Sequence, residues 1–491
     1  MSPSLVSLAI IFSIVLIGAI TGIYAGLRRE MNLEQWTVAG RGFGLIFTWL
    51  LAAGEIYTTF SFLGASGWAY SRGGPTLYII AYGMLAYAVG FFILPDIWEV
   101  GRRFVLHTES DFFQQRYQNK YLAALVAIVG VVFIVPYLQL QLTGLGIIVE
   151  VASFHAISRP VAMVIAFVIV AGFVFSSGIR AVAWVSVIKD VLMLLAAFSI
   201  GIFIPYHYFG GIRPMFAALT QAKAAHLTMP GGTSNMGHAW YISTVLLTAL
   251  GFYMWPHGFG SVFTAKSGNT LRRNAMIMPL YVTTLPLLFF VGFTAILVIP
   301  GLKNGDLALL TLVRQTFPPW FLGLVGGAGA LTAMVPAAVM ILTAATLFAK
   351  NFFRPLFRPS MPDAAVTRLA KLMVIVITGV ALYFAIYSST TLVGLLLLAY
   401  AGVTQFFPGV VLGLYWKRVT TAGVFAGLIA GVAIASLLMF THHDPFMGLN
   451  AGFLALCINL ATTVMVSLTT SIQPSGLEQE PAEGVVAVSA S

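Results

Sequence analysis

Thirteen apolar stretches of 18 to 32 residues, joined by short polar connections, take up almost the whole chain. They run 4–27, 43–69, 76–97, 121–152, 160–177, 181–205, 239–263, 275–299, 319–349, 370–387, 390–416, 421–441 and 449–471. About 20 apolar residues in a helix cross the roughly 30 Å hydrocarbon core of a bilayer, so each stretch can span. Of the 491 residues, 59% are hydrophobic and 8% are charged, whereas a soluble domain carries roughly a quarter charged residues. The expected fold is an all-α polytopic membrane protein. Residues 1–472 would form one transmembrane domain and 473–491, with Glu478, Glu480 and Glu483, a disordered tail.

The net charge of +10 has its explanation in where the cations fall. Connections 28–41, 98–120, 178–180, 264–274, 350–371 and 417–418 share one face and carry eighteen of the 25 lysines and arginines. The opposite face carries six, and Lys189 lies inside a segment. Lysine and arginine accumulate on cytoplasmic loops, so the N-terminus is expected outside and the C-terminus in the cytoplasm. Nucleic acid is not the expected partner of this charge; membrane lipid is. The first segment is read as a span and not a cleaved leader, because Arg28 and Arg29 follow it instead of preceding it. A single cysteine, Cys457, excludes a disulfide framework. The histidines of loop 206–238 (His207, His226 and His238) lack close metal-ligand spacing, and no metal or cofactor is expected.

Two segments carry residues unsuited to an uninterrupted helix. The second reads Leu51-Ala52-Ala53-Gly54-Glu55-Ile56-Tyr57-Thr58-Thr59-Phe60-Ser61, with a glycine and a carboxylate near its middle. The seventh reads Gly251-Phe252-Tyr253-Met254-Trp255-Pro256-His257-Gly258, where Pro256 removes a backbone donor. Either alone could be an ordinary kink. Five segments apart, they run in opposite directions through the membrane. Interrupted helices at matching places of two inverted halves mark a midplane binding site in secondary transporters. The repeats are expected over about 43–205 and 239–416, with 4–27, 421–441 and 449–471 as extra helices.

Ionisable groups within hydrocarbon are costly and point to function. Glu55 falls at the first break, Lys189 and Asp190 are adjacent in the sixth segment, and His257 is at the second break. Asp190 could equally be a structural partner near the interface, and His257 a satisfied histidine at a helix break. No catalytic carboxylate pair or Ser/His/Asp set recurs at one depth, so an enzyme is not expected.

Several motifs, in order, resemble the sodium:solute symporter family. The most specific is Pro408-Gly409-Val410-Val411-Leu412-Gly413-Leu414-Tyr415-Trp416-Lys417-Arg418-Val419-Thr420 followed by Gly423. Phe62-Leu63-Gly64-Ala65-Ser66-Gly67 with Tyr70, Arg103 with Thr108, Tyr137 with Gln141, Ala181-Val182-Ala183-Trp184, and Pro256-His257 are also similar to it. The resemblance covers about 35–435 and implies the LeuT-type inverted-repeat fold with thirteen spans. Gly54-Glu55-Ile56-Tyr57-Thr58-Thr59-Phe60 and Trp184-Val185-Ser186-Val187-Ile188-Lys189-Asp190 resemble the bacterial monocarboxylate permease branch. That implies uptake of small organic anions such as pyruvate, lactate, acetate or propionate across a bacterial cytoplasmic membrane, by a monomer.

The chain departs from the family where ion coupling is concerned. The resemblance implies a sodium site of carbonyls matching Gly54 and Tyr57 plus two hydroxyls on the ninth segment. Those hydroxyls fall at Val335 and Pro336, which offer a hard cation no side-chain oxygen. Ser186 replaces a frequent aspartate and Lys189 a glutamine. Lys189 is therefore expected to take the place of sodium, with the proton as coupling ion shared with Glu55 or Asp190. The expected substrate cavity is drawn from Tyr57, Thr58, Ser61, Gln139, Gln141, Trp255 and Gln405, closed by Trp255 or Phe406. The competing reading is that Tyr57 and Trp255 only pack between helices. A sodium-coupled symporter for a neutral solute is the alternative function. A sensor module is a further one, although only about 20 residues follow the last span.

Overall fold

The computed structural model describes residues 2–26, 41–176, 179–231 and 236–478. The side chains of residues 23, 25, 26, 55, 175, 176 and 179–181 lie outside that description. The described chain is helical. In order it comprises α1 (Pro3–Gly26), α2 (Leu45–Ile56), α3 (Ala65–Ser71), α4 (Tyr78–Arg103), α5 (Glu109–Tyr117), α6 (Lys120–Ala152) and α7 (Arg159–Ser176). There follow α8 (Ile179–Phe209), α9 (Ile212–Lys223), α10 (His238–Gly251), α11 (Pro256–Val262), α12 (Gly268–Val282), α13 (Pro286–Val298) and α14 (Ala308–Thr316). The last third holds α15 (Pro319–Thr346), α16 (Arg354–Phe357), α17 (Asp363–Tyr387), α18 (Leu392–Val403), α19 (Phe407–Tyr415), α20 (Thr421–Phe440) and α21 (Ala451–Thr469).

Among the described residues, 10 helices are long and apolar enough to cross a membrane. Two shorter apolar helices, Leu45–Gly54 and Arg159–Val174, fall at the expected second and fifth segments. The seventh is divided between α10 and α11. The segments that fall short as continuous spans thus include both that carry the interruptions. The long loop 206–238 contains α9. Part of the expected tail is docked instead of disordered. Gln115 donates to the Gly476 carbonyl (2.8 Å), the Gly476 amide to the Arg116 carbonyl (3.2 Å), and Thr421 to Gln473 (2.6 Å); residues 479–491 lie outside the described residues.

The centre of the bundle is the span Pro319–Phe357, with 89% of its apolar window buried against 28% for α1. Small residues make that possible. In Gly326-Gly327-Ala328-Gly329-Ala330 a Cβ on Gly327 would stand 2.5 Å from Ile14, so α1 lies directly on the α15 backbone. The last two helices pack in the same way, through Gly423, Gly427 and Gly431. A Cβ at Gly427 would stand 2.6 Å from the Asn459 side-chain oxygen on α21.

The end of the bundle that carries most of the arginines and lysines is knitted by polar contacts. The Phe43 amide donates to the Thr264 carbonyl (3.0 Å) and the Lys266 amide to the Phe43 carbonyl (2.9 Å), joining the entry of α2 to the exit of α11. Thr108 caps α5 in a capping box with Asp111. Asp111 also accepts from Lys350 (2.7 Å) and Asn351 (2.7 Å) at the end of the α15 segment. Burial pushes the Asp111 carboxyl up, but Lys350 and the surrounding donors overcome it and hold it at about 2. Nearby, burial and the Lys350 charge depress His107 to about 4. At the other end, Asp306 is buried between Gly67 and the start of α18, where it accepts from the Leu392 amide at 3.1 Å. Burial raises it to about 7.

Candidate functional site

The first break lies one turn beyond the place the sequence suggests. α2 runs through Gly54 and stops at Tyr57, whose φ −88° and ψ 92° are extended. The chain resumes with a π-helical turn over Phe60–Gly64 before α3. Gly54 is therefore not the interruption, which is a correction to its expected role. What its missing side chain does is admit Lys189. A Cβ on Gly54 would stand 3.4 Å from the Lys189 ammonium and 3.7 Å from the Ser186 hydroxyl. The side chain of Glu55 lies outside the described residues.

Groups orphaned by the break are met mainly by the Ser61 hydroxyl. Ser61 accepts from the Thr58 amide (3.0 Å) and donates to the Ile56 carbonyl (2.6 Å). Gln141, from α6, accepts from the Thr59 amide at 3.4 Å. Such partners are what makes irregular backbone tolerable at membrane depth. The Thr58 and Thr59 hydroxyls and the Gln141 amide nitrogen are buried with no hydrogen-bond partner. All three can donate, so these groups are chemically suited to an anionic oxygen.

The Lys189 ammonium donates to the Tyr57 carbonyl (3.3 Å) and pairs with Asp190 (3.0 Å). The two side chains are 0% and 3% exposed, so the pair is desolvated. Asp190 also accepts from Tyr281 at 3.4 Å, and its second oxygen makes no hydrogen bond. Ser186 donates back to the Val182 carbonyl (3.0 Å) and is buried. Val335 and Pro336 are buried on α15, and Pro336 lies inside that helix.

The second break spans residues 252–255. Pro256 does not kink a continuous helix, the competing reading; the helix is interrupted and Pro256 opens α11 as the first residue, where no amide is needed. His257 is the second residue of the new helix and is buried. It lines a cavity of about 20 Å³ that reaches His107, Thr108, Ser261, Thr343 and Thr346 toward the basic end. The Trp255 ring lies against Tyr137, tilted at 4.9 Å, and meets Tyr400 edge-on at 5.1 Å. Beside the first break, Ile56, Phe60, Ser61, Tyr82, Tyr87, Phe252, Val282 and Leu285 line a cavity of about 10 Å³, room for roughly one water.

Two residues expected at the cavity face elsewhere. Gln405 donates to the Ala401 (2.9 Å) and Gly452 (3.3 Å) carbonyls and accepts from Asn459 (3.1 Å), which places it in the seam with the last two helices. Gln139 donates to the Phe384 carbonyl on α17 (3.3 Å). Phe406 is buried against Phe113, 6.3 Å away. The residues missed are Tyr281 and Thr284. Tyr57 and Thr284 share a short hydroxyl–hydroxyl hydrogen bond, and the Tyr57 and Tyr281 rings meet edge-on at 5.2 Å. The one available signal was Pro286, which marks an interruption just beyond them.

The pattern that defines the sodium:solute symporter family matches residues 36–431. The chain is 45% identical over 477 residues to the uncharacterized symporter YhjB of Bacillus subtilis, covering 94% of this chain and 97% of that protein. It is 30% identical over 451 residues to the monocarboxylate transport permease protein of Rhizobium johnstonii, covering 89% and 90%. A solved Na+-coupled sialic acid symporter, substrate-bound and outward-open, is similar in fold with a TM-score of 0.80, at 17% identity over 96% of this chain and 98% of that one.

Proposed function

This chain belongs to the sodium:solute symporter family and is a multi-span membrane transporter, and from that premise we propose that it imports small monocarboxylates together with a proton. Pyruvate, lactate, acetate and propionate are the substrates to test first. In support of the class, a relative at 30% identity bears the name monocarboxylate transport permease. The unpartnered Thr58, Thr59 and Gln141 donors beside the first break suit a carboxylate. The single observation that carries proton coupling is the Lys189 ammonium hydrogen-bonded to the Tyr57 carbonyl and paired with Asp190. A fixed cation there removes the need for a mobile one. Val335 and Pro336 lack the oxygens a sodium ion would require.

The charges then balance at each stage. With Asp190 ionised the pair is neutral. A proton on its second oxygen leaves a net positive charge, which attracts a monocarboxylate to the adjoining break. Proton and anion enter together and the cycle moves no net charge. The proposed topology has thirteen spans, with the N-terminus outside and the C-terminus in the cytoplasm of a bacterial cytoplasmic membrane, and the transporter acts as a monomer.

Uptake of labelled pyruvate into proteoliposomes with either gradient imposed tests this. A proton gradient is expected to drive accumulation without sodium. Strong stimulation by sodium at constant pH, retained in Lys189→Ala, would overturn it. A competition panel of short carboxylates against sugars and amino acids tests the substrate class.

A further inference from the structure

We infer that Tyr281, on a kink between α12 and α13, is a positioning residue linking the Lys189–Asp190 pair to the cavity beside the first break. The inference rests on the reading that this pair holds the coupling proton.

The kink is built by backbone chemistry. Pro286 has no amide to give, and the chain from 281 to 288 closes in three-residue steps. The Thr284 amide donates to the Tyr281 carbonyl (3.1 Å), Leu285 to Val282 (3.0 Å) and Leu288 to Leu285 (3.0 Å). One tight turn therefore aims its side chains at separate places. Tyr281 reaches Asp190 across 91 residues of sequence. Val282 and Leu285 form part of the cavity wall opposite Ile56 and Ser61. Thr284 meets Tyr57, the residue at which α2 ends. Because the single Thr284 proton goes to the Tyr281 carbonyl (2.7 Å), Tyr57 is the donor in the bond between them.

The Tyr281 hydroxyl acts here as a donor. It donates to the Asp190 oxygen that also holds Lys189, leaving the other oxygen as the place for an arriving proton. Hydrogen bonds to an ionised acceptor are about twice as strong as neutral ones. When that proton binds, the bond from Tyr281 weakens and the turn is released. The same turn carries the cavity wall. Protonation on one side of the kink thus alters the space available on the other.

The test is the pH dependence of gradient-driven pyruvate uptake by the full chain in proteoliposomes, for wild type, Tyr281→Phe and Thr284→Val. Loss of the hydroxyl withdraws stabilisation from the ionised carboxylate. Tyr281→Phe is therefore expected to move the midpoint of the pH profile up by about one unit, a tenfold change in proton affinity. Because proton and pyruvate bind together, KM for pyruvate is expected to fall at pH values above the wild-type midpoint, following the shift. Thr284→Val is expected to raise KM and leave the midpoint in place. A Tyr281→Phe profile superimposable on wild type overturns this inference alone. Should that variant fail to fold, Tyr281→Trp, which retains an N–H donor and does not titrate, must restore the wild-type midpoint, and a shifted midpoint there overturns it too. A wild type with no proton-driven uptake overturns the coupling reading and this inference with it.

Discussion

Replacing Lys189 with methionine strands a carboxylate in the interior. Asp190 has only 3% of its side chain exposed, and its remaining donor would be Tyr281 at 3.4 Å. Breaking a buried pair by removing one partner costs about 3–5 kcal/mol, a large share of the roughly 5–15 kcal/mol that holds a typical domain together. Replacing both partners with apolar side chains of similar size is near neutral. Lys189→Met is therefore expected to lose about 3–5 kcal/mol. The double variant with Asp190→Leu should return to within about 1 kcal/mol of wild type, a coupling of several kcal/mol between neighbours in contact. Denaturant titration in mixed micelles measures the stability, and proteoliposome uptake measures transport. The stable double variant should lose pyruvate exchange at equal pH as well as accumulation in response to a proton gradient, because no positive charge remains to attract the anion. A single variant as stable as wild type would refute the buried-charge reasoning. A double variant that still accumulates pyruvate in response to pH would refute the role given to the pair.

Two further outcomes follow from particular contacts. Asp306 holds its proton up to about pH 7 in the folded chain, against a model-compound value of 3.8. Folded stability is therefore fullest below about pH 4, falls as pH rises toward 7 and levels off above, by at most about 4 kcal/mol. Asp306→Asn, which still accepts from the Leu392 amide, should match wild type in thermal midpoint at pH 4.5 and exceed it at pH 8; equal midpoints at both pH values would refute this. Gln405→Ala should lower stability by about 0.6–2 kcal/mol, as interhelical hydrogen bonds in membranes do, without moving KM. A tenfold rise in KM would return Gln405 to the cavity.

What was legible in the sequence is what acts locally. Apolar length sets where helices lie, and Pro256 and the Gly54–Ser61 run betray their breaks because proline and hydroxyl side chains alter the backbone within a turn. Even so, the breaks fall at Tyr57 and at residues 252–255, a few residues from where composition alone would put them. Adjacent Lys189 and Asp190 announce themselves by charge in hydrocarbon. Tyr281 did not, because a tyrosine in an apolar run has no marking of its own and its partner lies 91 residues away. Gln405 misled for a related reason. A polar group within a span was assigned to the cavity, whereas its partner Asn459 belongs to the last helix, 54 residues on. The clamp of Asp111 with Lys350 and Asn351 joins residues some 240 apart that read separately as ordinary polar residues of connecting segments.

The contact between Phe43 and the 264–266 strand-like turn is made wholly by main-chain amides and carbonyls. Side-chain replacement cannot weaken those two bonds directly, short of proline at position 43 or 266. The neighbouring Asp111 clamp is the opposite kind of fastening, since every bond from Lys350 and Asn351 can be tuned by mutation. The polar contacts of this face therefore divide into a part indifferent to side-chain replacement and a part open to it. Adaptation of turnover to temperature or medium would leave its record at Asp111, Lys350 and Asn351, and not at the bridge beside them.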